Sequence, residues 1–195
     1  MLVSDLVNPI LVLCNQLGQN NQTTTEYKKN IPILADMGQR ELIETGHIFN
    51  TFEVVRTETD GTNDEYVKID MPSDFGGLTT IIDATNGGYA KSPQYWFERD
   101  NILYIRNSFQ GTLRIVYRPC PTQLTMLTDT LIIDTNTSLQ ALVPYIASML
   151  LLEENPQKSN YFEQKYQEQK ILLSKRNAAL FEPIFDDVDT SCSVN

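Results

Sequence analysis

The apolar positions of the chain first follow a helical period, then alternate, and finally return to a helical period. Between Tyr27 and Leu42, apolar residues recur at steps of three, four or one, which predicts a helix that ends near Glu44 or Gly46. Pro32 should kink this helix or delay its start, because proline lacks the backbone N–H group of a helix interior.

Polar residues indicate where the first helices begin. Thr23 and Glu26 are spaced as a capping box, in which each side chain binds a free backbone N–H group of the opening turn. A shorter helix comes before this one. It begins either at Asn8, with Pro9 in its first turn, or at Ser4, with Pro9 bending it.

Alternation of apolar and polar residues predicts strands in the middle of the chain. The predicted strands cover residues 52–57, 65–70, 95–99, 102–106 and 112–117. Turn residues at 60–64 and 100–101 would join the first four strands into two hairpins. Residues 107–111 would then bring the last strand onto the second hairpin, which gives a small antiparallel meander.

The helical period returns at Thr137. The helix that follows is apolar nearly all round, so it belongs at the centre of a core, although Pro144 leaves its exact start open. Asn155-Pro156 ends it, and Ser159 can cap a last helix over residues 160–181. At ~1.5 Å per residue that helix is about 33 Å long, which is longer than a small core requires.

These elements predict an α+β fold, in which helices from both ends of the chain form a bundle. The bundle is expected from residues 1–48 and 137–183, and an antiparallel β meander is inserted at residues 49–136. Residues 184–195 form an acidic C-terminal tail.

Composition and charge argue against several classes of function. The 195 residues include 25 acidic and 15 basic side chains, a net charge of −10 without a basic patch, which disfavours tight binding to a phosphate backbone. The sequence contains no nucleophile elbow, P-loop or zinc-protease motif, and its single histidine, His47, is expected at an exposed helix end. We therefore expect no enzyme activity and no catalytic, metal or cofactor site.

The cysteines and the apolar runs indicate a cytosolic product. Cys14 lies on an apolar helix face and is expected in the core, while Cys120 and Cys192 are far away in sequence, which is typical of free thiols in a reducing compartment. The apolar run from Pro9 to Cys14 is too short to span a membrane, so no membrane partner is expected.

The tail combines a few apolar residues with acidic neighbours. It is too short and too acidic to pack by itself, so it either becomes ordered on a partner or folds back on its own subunit. The candidate partner-binding residues are Phe181, Pro183, Ile184, Phe185 and Val188.

Four stretches, in this order and at this spacing, resemble the head–tail connector (adaptor ring) proteins of tailed bacteriophages. They are the two N-terminal helices at 4–45, the strand with the turn Met71-Pro72-Ser73-Asp74-Phe75, the last strand with its exit Tyr117-Arg118-Pro119-Cys120-Pro121, and the closing helices at 145–156 and 161–166. Each stretch alone is weakly specific, but together they cover nearly the whole chain.

The resemblance implies a structural virion protein at the head–tail junction, assembled in the host cytoplasm. Such a protein forms a ring of about twelve copies, whose contacts are related by rotation. Its partners would be further copies of itself, the portal protein, and a downstream tail protein or second ring, with DNA only as passing cargo.

Two other interpretations remain open from the sequence. A tail-completion or terminator subunit would also form a ring, but it would bind the tail tube instead of the portal. A soluble, non-viral binding module would instead use a pocket near Trp96 and would stay monomeric.

Overall fold

The computed structural model describes residues 1–57, 65–85, 88–89, 96–99 and 102–181. Its helices are α1 (Ser4–Leu13), α2 (Gln22–Glu44), α3 (Thr135–Thr137), α4 (Val143–Leu151) and α5 (Pro156–Phe181), and a π-helical turn at Ser138–Leu142 joins α3 to α4. Its strands are β1 (Asn50–Arg56), β2 (Tyr66–Ile69), β3 (Phe75–Asp83), β4 (Gly88–Tyr89), β5 (Trp96–Arg99), β6 (Ile102–Arg106) and β7 (Gly111–Pro119). All strand pairs are antiparallel, so the predicted α+β class with antiparallel strands is confirmed.

The chain divides into a helical unit, residues 1–48 and 121–179, and a β unit built around residues 49–120. Residues 121–136 therefore group with the helices, whereas the sequence pattern placed them in the insertion. Backbone hydrogen bonds explain the difference, because this segment runs beside the N-terminus: Val3 N–H donates to the carbonyl of Asp129 at 2.9 Å, and Leu131 N–H to that of Met1 at 2.9 Å.

Helix α4 lies at the centre of the helical unit, as its apolar sequence predicted. Six of its nine residues are buried, and it packs against α1 and α2. Its approach to α2 is close at Gly38, where an added Cβ would lie 2.7 Å from Cδ1 of Tyr145 and 2.8 Å from Cδ2 of Leu142. Only glycine leaves room for this contact.

Helix α2 begins two residues earlier than the predicted capping box implies. The Asn21 side chain accepts a hydrogen bond from Thr24 N–H at 2.8 Å and caps the helix, so Thr23 is not the cap. Helix α1 begins at Ser4 and contains Pro9, which agrees with the earlier of the two predicted starts, but Val3 and not Ser4 is its N-cap. Pro32 lies inside α2, which continues on both sides of it.

The predicted cap of the last helix is also wrong. Helix α5 starts at Pro156, and the Asn155 side chain accepts a hydrogen bond from Lys158 N–H at 3.1 Å. Proline at the first helical position costs nothing, because its missing N–H group would have had no partner inside the helix. Ser159 is buried and donates to the carbonyl of Ser148 at 2.8 Å, so it holds α5 against α4.

The strands form two sheets, which corrects the predicted meander. One sheet has the order β1-β7-β3-β4 and the other the order β2-β6-β5. Strand β7 therefore pairs with β1 and β3 and not with β6, and β1 and β2 lie in different sheets instead of one hairpin. Only the hairpin of β5 and β6 is confirmed. The predicted turns at 60–64 and 100–101 lie outside the described residues.

One apolar cluster is shared by both sheets. Ile81, Leu113 and Ile115 come from the first sheet, and Leu103 and Ile105 from the second; each is at most 1% exposed. Alternation along β6 and β7 directs these side chains to one face, as expected for half-buried strands.

Replacing Gly38 by valine tests the close contact between α2 and α4. Although valine has the better helix propensity, we expect Gly38→Val to lower the free energy of unfolding by about 1–3 kcal/mol, because the new side chain overlaps Tyr145. Lys29→Val, at an exposed position of the same helix, should cost less than ~0.7 kcal/mol. Urea unfolding measures both, and equal losses would contradict the predicted overlap.

Candidate interaction surfaces

The predicted partner-binding residues lie at or beyond the end of the described chain. Phe181 is the last residue of α5, and Pro183, Ile184, Phe185 and Val188 lie outside the described residues. Two described surfaces of the helical unit combine a cavity with exposed apolar side chains.

The first surface is an apolar groove between α1, α4 and α5, with a volume of about 470 Å³. Its apolar walls are Val12 and Leu13, Leu139 and Val143, and Tyr161 and Phe162. We call it the α1–α5 groove. Val12 is 51% exposed and Tyr161 54%, so these side chains are open to another molecule.

The groove exists because two helices bury only a narrow face. Helix α1 buries Leu6, Val7, Ile10 and Leu11, which leaves Val12 off the buried face. On α5, burial follows a separate stripe through Tyr166 and Leu173, and Tyr161 lies off that stripe.

A single cation marks the edge of the groove. Lys165 lines it, and its Nζ atom donates to Glu168 at 2.8 Å and lies 5.8 Å from the centre of the Tyr161 ring. Both partners raise the pKa of Lys165, first through the hydrogen bond to Glu168. The cation therefore lies beside the apolar side chains of the groove.

The second surface lies between α2 and the end of α4, around a cavity of about 410 Å³. Its apolar residues are Ile33, Leu34, Met149, Leu150 and Leu152, and its acidic residues are Glu26, Glu153 and Glu154. We call it the α2–α4 face. Ile33 is 56% exposed and Leu152 55%.

One carboxylate of this face is fixed by a buried tyrosine. Tyr27 donates its hydroxyl hydrogen to Glu154 at 2.7 Å. Burial, followed by this hydrogen bond and the charge of Glu154, raises the pKa of Tyr27 well above its usual range. The carboxylate of Glu154 therefore stays at the rim of the α2–α4 face.

His47 has a structural environment and is half-buried, whereas the sequence predicted exposure. Its Nδ1 atom lies 3.1 Å from the hydroxyl of Ser174, and its carbonyl accepts a hydrogen bond from the Asn177 side chain at 2.7 Å. Burial lowers the pKa of His47, as does the charge of Lys170, whereas Glu41 acts in the opposite direction.

His47 and Ser174 connect the end of one helix to another. The Ser174 hydroxyl lies 3.1 Å from the carbonyl of Lys170 and 3.1 Å from Nδ1 of His47, and the tautomer of the His47 ring decides which atom donates in the second contact. The contacts attach α5 to the end of α2. Within the part of the chain that the structure describes, no group of three His, Cys, Asp or Glu residues could hold a metal ion.

Of the three cysteines, Cys14 and Cys120 lie among the described residues. Cys14 is buried, as predicted, and burial raises the pKa of its thiol to about 11, so it is protonated at neutral pH. Cys120 is exposed, and Cys192 lies outside the described residues. Trp96 is in β5, but its side chain also lies outside them.

The turn that contributes to the family resemblance has a structural task in the β unit. The carboxylate of Asp74 accepts hydrogen bonds from the Tyr117 hydroxyl and from the Asn50 side chain, each at 2.8 Å. Phe75 N–H donates to the carbonyl of Pro72 at 3.0 Å and closes the turn. Asp74 thus joins the start of β3 to β1 and β7.

Both surfaces of the helical unit were missed by sequence reasoning. Each is made by helices that are far apart in the chain, so no local pattern indicates them. A weak signal was available: apolar residues such as Val12 and Ile33 fall outside the stripes that their own helices bury.

No protein-family model matches this sequence, and no curated protein matches it either. None of the helices among the described residues is both long and apolar enough to cross a membrane. The function must therefore be argued from the surfaces themselves and from the resemblance.

Removal of the Asp74 carboxylate should destabilise the β unit. We expect Asp74→Ala to cost about 1–3 kcal/mol, because two side-chain hydrogen bonds are lost and the buried Tyr117 hydroxyl keeps no acceptor. Asp70→Ala, at an exposed position before the turn, should change stability by less than ~0.5 kcal/mol. Urea unfolding followed by the fluorescence of Trp96, the only tryptophan, measures both variants, and an equal effect would refute the role of Asp74.

The Tyr117 hydroxyl should make stability depend on alkaline pH. Burial, then the hydrogen bond to Asp74, raises its pKa from 10.0 to about 12. Since the folded pKa is the higher one, the contribution is complete below pH 10 and is lost as the pH rises through about 12. The stability difference between wild type and Tyr117→Phe should therefore shrink between pH 9 and 12, and a constant difference would contradict this assignment.

Proposed function

We propose that this chain is a structural subunit of a bacteriophage head–tail connector. About twelve copies form a ring that docks on the portal and extends the DNA channel towards the tail. The order of segments that resembles the adaptor family supports this role. In this proposal the helices form the bundle of the subunit, and the β unit is an insertion in it.

The observation that carries the proposal is the pair of exposed apolar surfaces on the helical unit. A subunit in a closed ring touches two neighbours, and it uses a different patch for each. The α1–α5 groove and the α2–α4 face are two such patches, formed by different sets of helices. A monomeric binding module needs only one.

The charge of the chain suits a channel for DNA. A net charge of −10 without a basic patch gives few contacts to phosphate groups, so passing DNA would be held weakly. DNA is thus cargo in this proposal and not a ligand.

The portal contact is assigned to the C-terminal tail. Helix α5 spans 26 residues, about 39 Å at ~1.5 Å per residue, and Phe181 ends it. The residues that follow, Pro183, Ile184, Phe185 and Val188, would supply apolar anchors that become ordered on the portal. The other end of the ring would then receive the tail or a second ring protein.

Deletion of residues 183–195 tests the docking role of the tail. The truncated protein should lose binding to the candidate portal, while its melting temperature stays within about 2 °C of wild type, because in this proposal the segment binds the portal and not its own subunit. Deletion of residues 190–195 alone removes no anchor and should keep binding. Native mass spectrometry of the co-expressed proteins measures the stoichiometry.

The other outcomes separate the alternative functions. A lower melting temperature after deletion would mean that the tail folds back on its own subunit. A free ring that ignores the portal would favour a tail-completion or terminator subunit. A wild-type monomer that binds no head protein would indicate a non-viral binding module.

A further inference from the structure

The tail of the same chain is one alternative occupant of the α1–α5 groove. Helix α5 carries Phe181 16 residues beyond Lys165 of the groove, about 24 Å away at ~1.5 Å per residue. Val188 is seven residues past Phe181, so only a fully extended chain, which spans ~25 Å, would bring it back to Lys165. The charges of the two surfaces favour a second copy as the occupant.

The charges around the two surfaces are complementary. The α1–α5 groove has Lys165 at its edge, while the α2–α4 face has exposed carboxylates at Glu26 and Glu153. Both surfaces are otherwise mainly apolar, so each can cover the exposed apolar side chains of the other. Opposite charges at the rim would set the orientation of such a contact.

We propose that the α1–α5 groove of one copy receives the α2–α4 face of the next copy. Lys165 of one copy then exchanges its exposed contact with Glu168 for Glu153 of the neighbouring copy, and Val12 and Leu152 are buried between the two copies. Because two different patches meet, the contact repeats from copy to copy and can close into a ring. The inference deepens the proposed function by naming the surfaces of its ring contact.

Two charge substitutions test this geometry, one on each surface. Val12→Asp blocks the groove and Leu152→Asp blocks the opposing face, and each site is more than half exposed, so both variants should fold. Alone, each variant should self-associate at least about tenfold more weakly than wild type. Ile171→Asp, 58% exposed on α5 but outside both surfaces, is the matched control and should behave as wild type.

Mixing the two variants gives the decisive result. Each variant keeps one intact surface, so an equimolar mixture should form a 1:1 dimer in sedimentation experiments and nothing larger. If the groove paired with itself, Leu152→Asp alone would still associate. That result, or a mixture without dimers while wild type associates, would overturn the proposal.

A zero-length carbodiimide cross-link locates the contact directly. In a mixture of ¹⁴N- and ¹⁵N-labelled wild-type protein, we expect a Lys165–Glu153 link between differently labelled chains, either in free protein or in protein bound to the candidate portal. Absence of the link in both samples would refute the proposed surfaces. Portal binding is read separately, so a ring that docks but lacks this link would leave the proposed function standing and reject only this contact.

Discussion

The contact between α2 and α4 at Gly38 determines how the rest of the helical unit packs. Because glycine has no side chain, the ring of Tyr145 lies against α2 and also meets Tyr166 of α5, with ring centres 5.0 Å apart. An ion pair between Lys170 and Glu41, at 2.8 Å, ties α5 to α2 on the same side. The packing of α2, α4 and α5 against one another therefore depends on the absence of a side chain at Gly38.

Local periodicity was enough to predict the helices, because a helix is formed by residues close in sequence. The first residue of each helix was harder to predict than the helix itself. Asn21 and Thr23 are both good caps, and the choice between them depends on which backbone N–H group each side chain reaches. Ser159 likewise has the right residue type for a cap, but Pro156 at the first position begins the helix one turn earlier.

Strand pairing and the candidate surfaces could not be predicted for the opposite reason: both join distant parts of the chain. Strand β3 was missed because its register shifts after Phe75 and again after Leu78, which breaks the alternation that reveals a strand. Strand β7 lies between β1 and β3, and nothing in residues 111–119 indicates these partners. The tail remains a prediction from residue type alone, whereas the groove required the fold.

The apolar residues outside the core are what distinguishes this chain from a simple α+β domain. Single exposed apolar residues are normal on any surface, but here Val12, Leu139 and Tyr161 come from three segments and line one groove. On α5, Tyr161, Ile171 and Leu172 are each more than half exposed, so this helix offers apolar surface that its own unit does not cover. Exposed apolar surface is unfavourable in water, and its free energy falls when another molecule covers it. The proposed function therefore depends on these surfaces and not on a reactive centre.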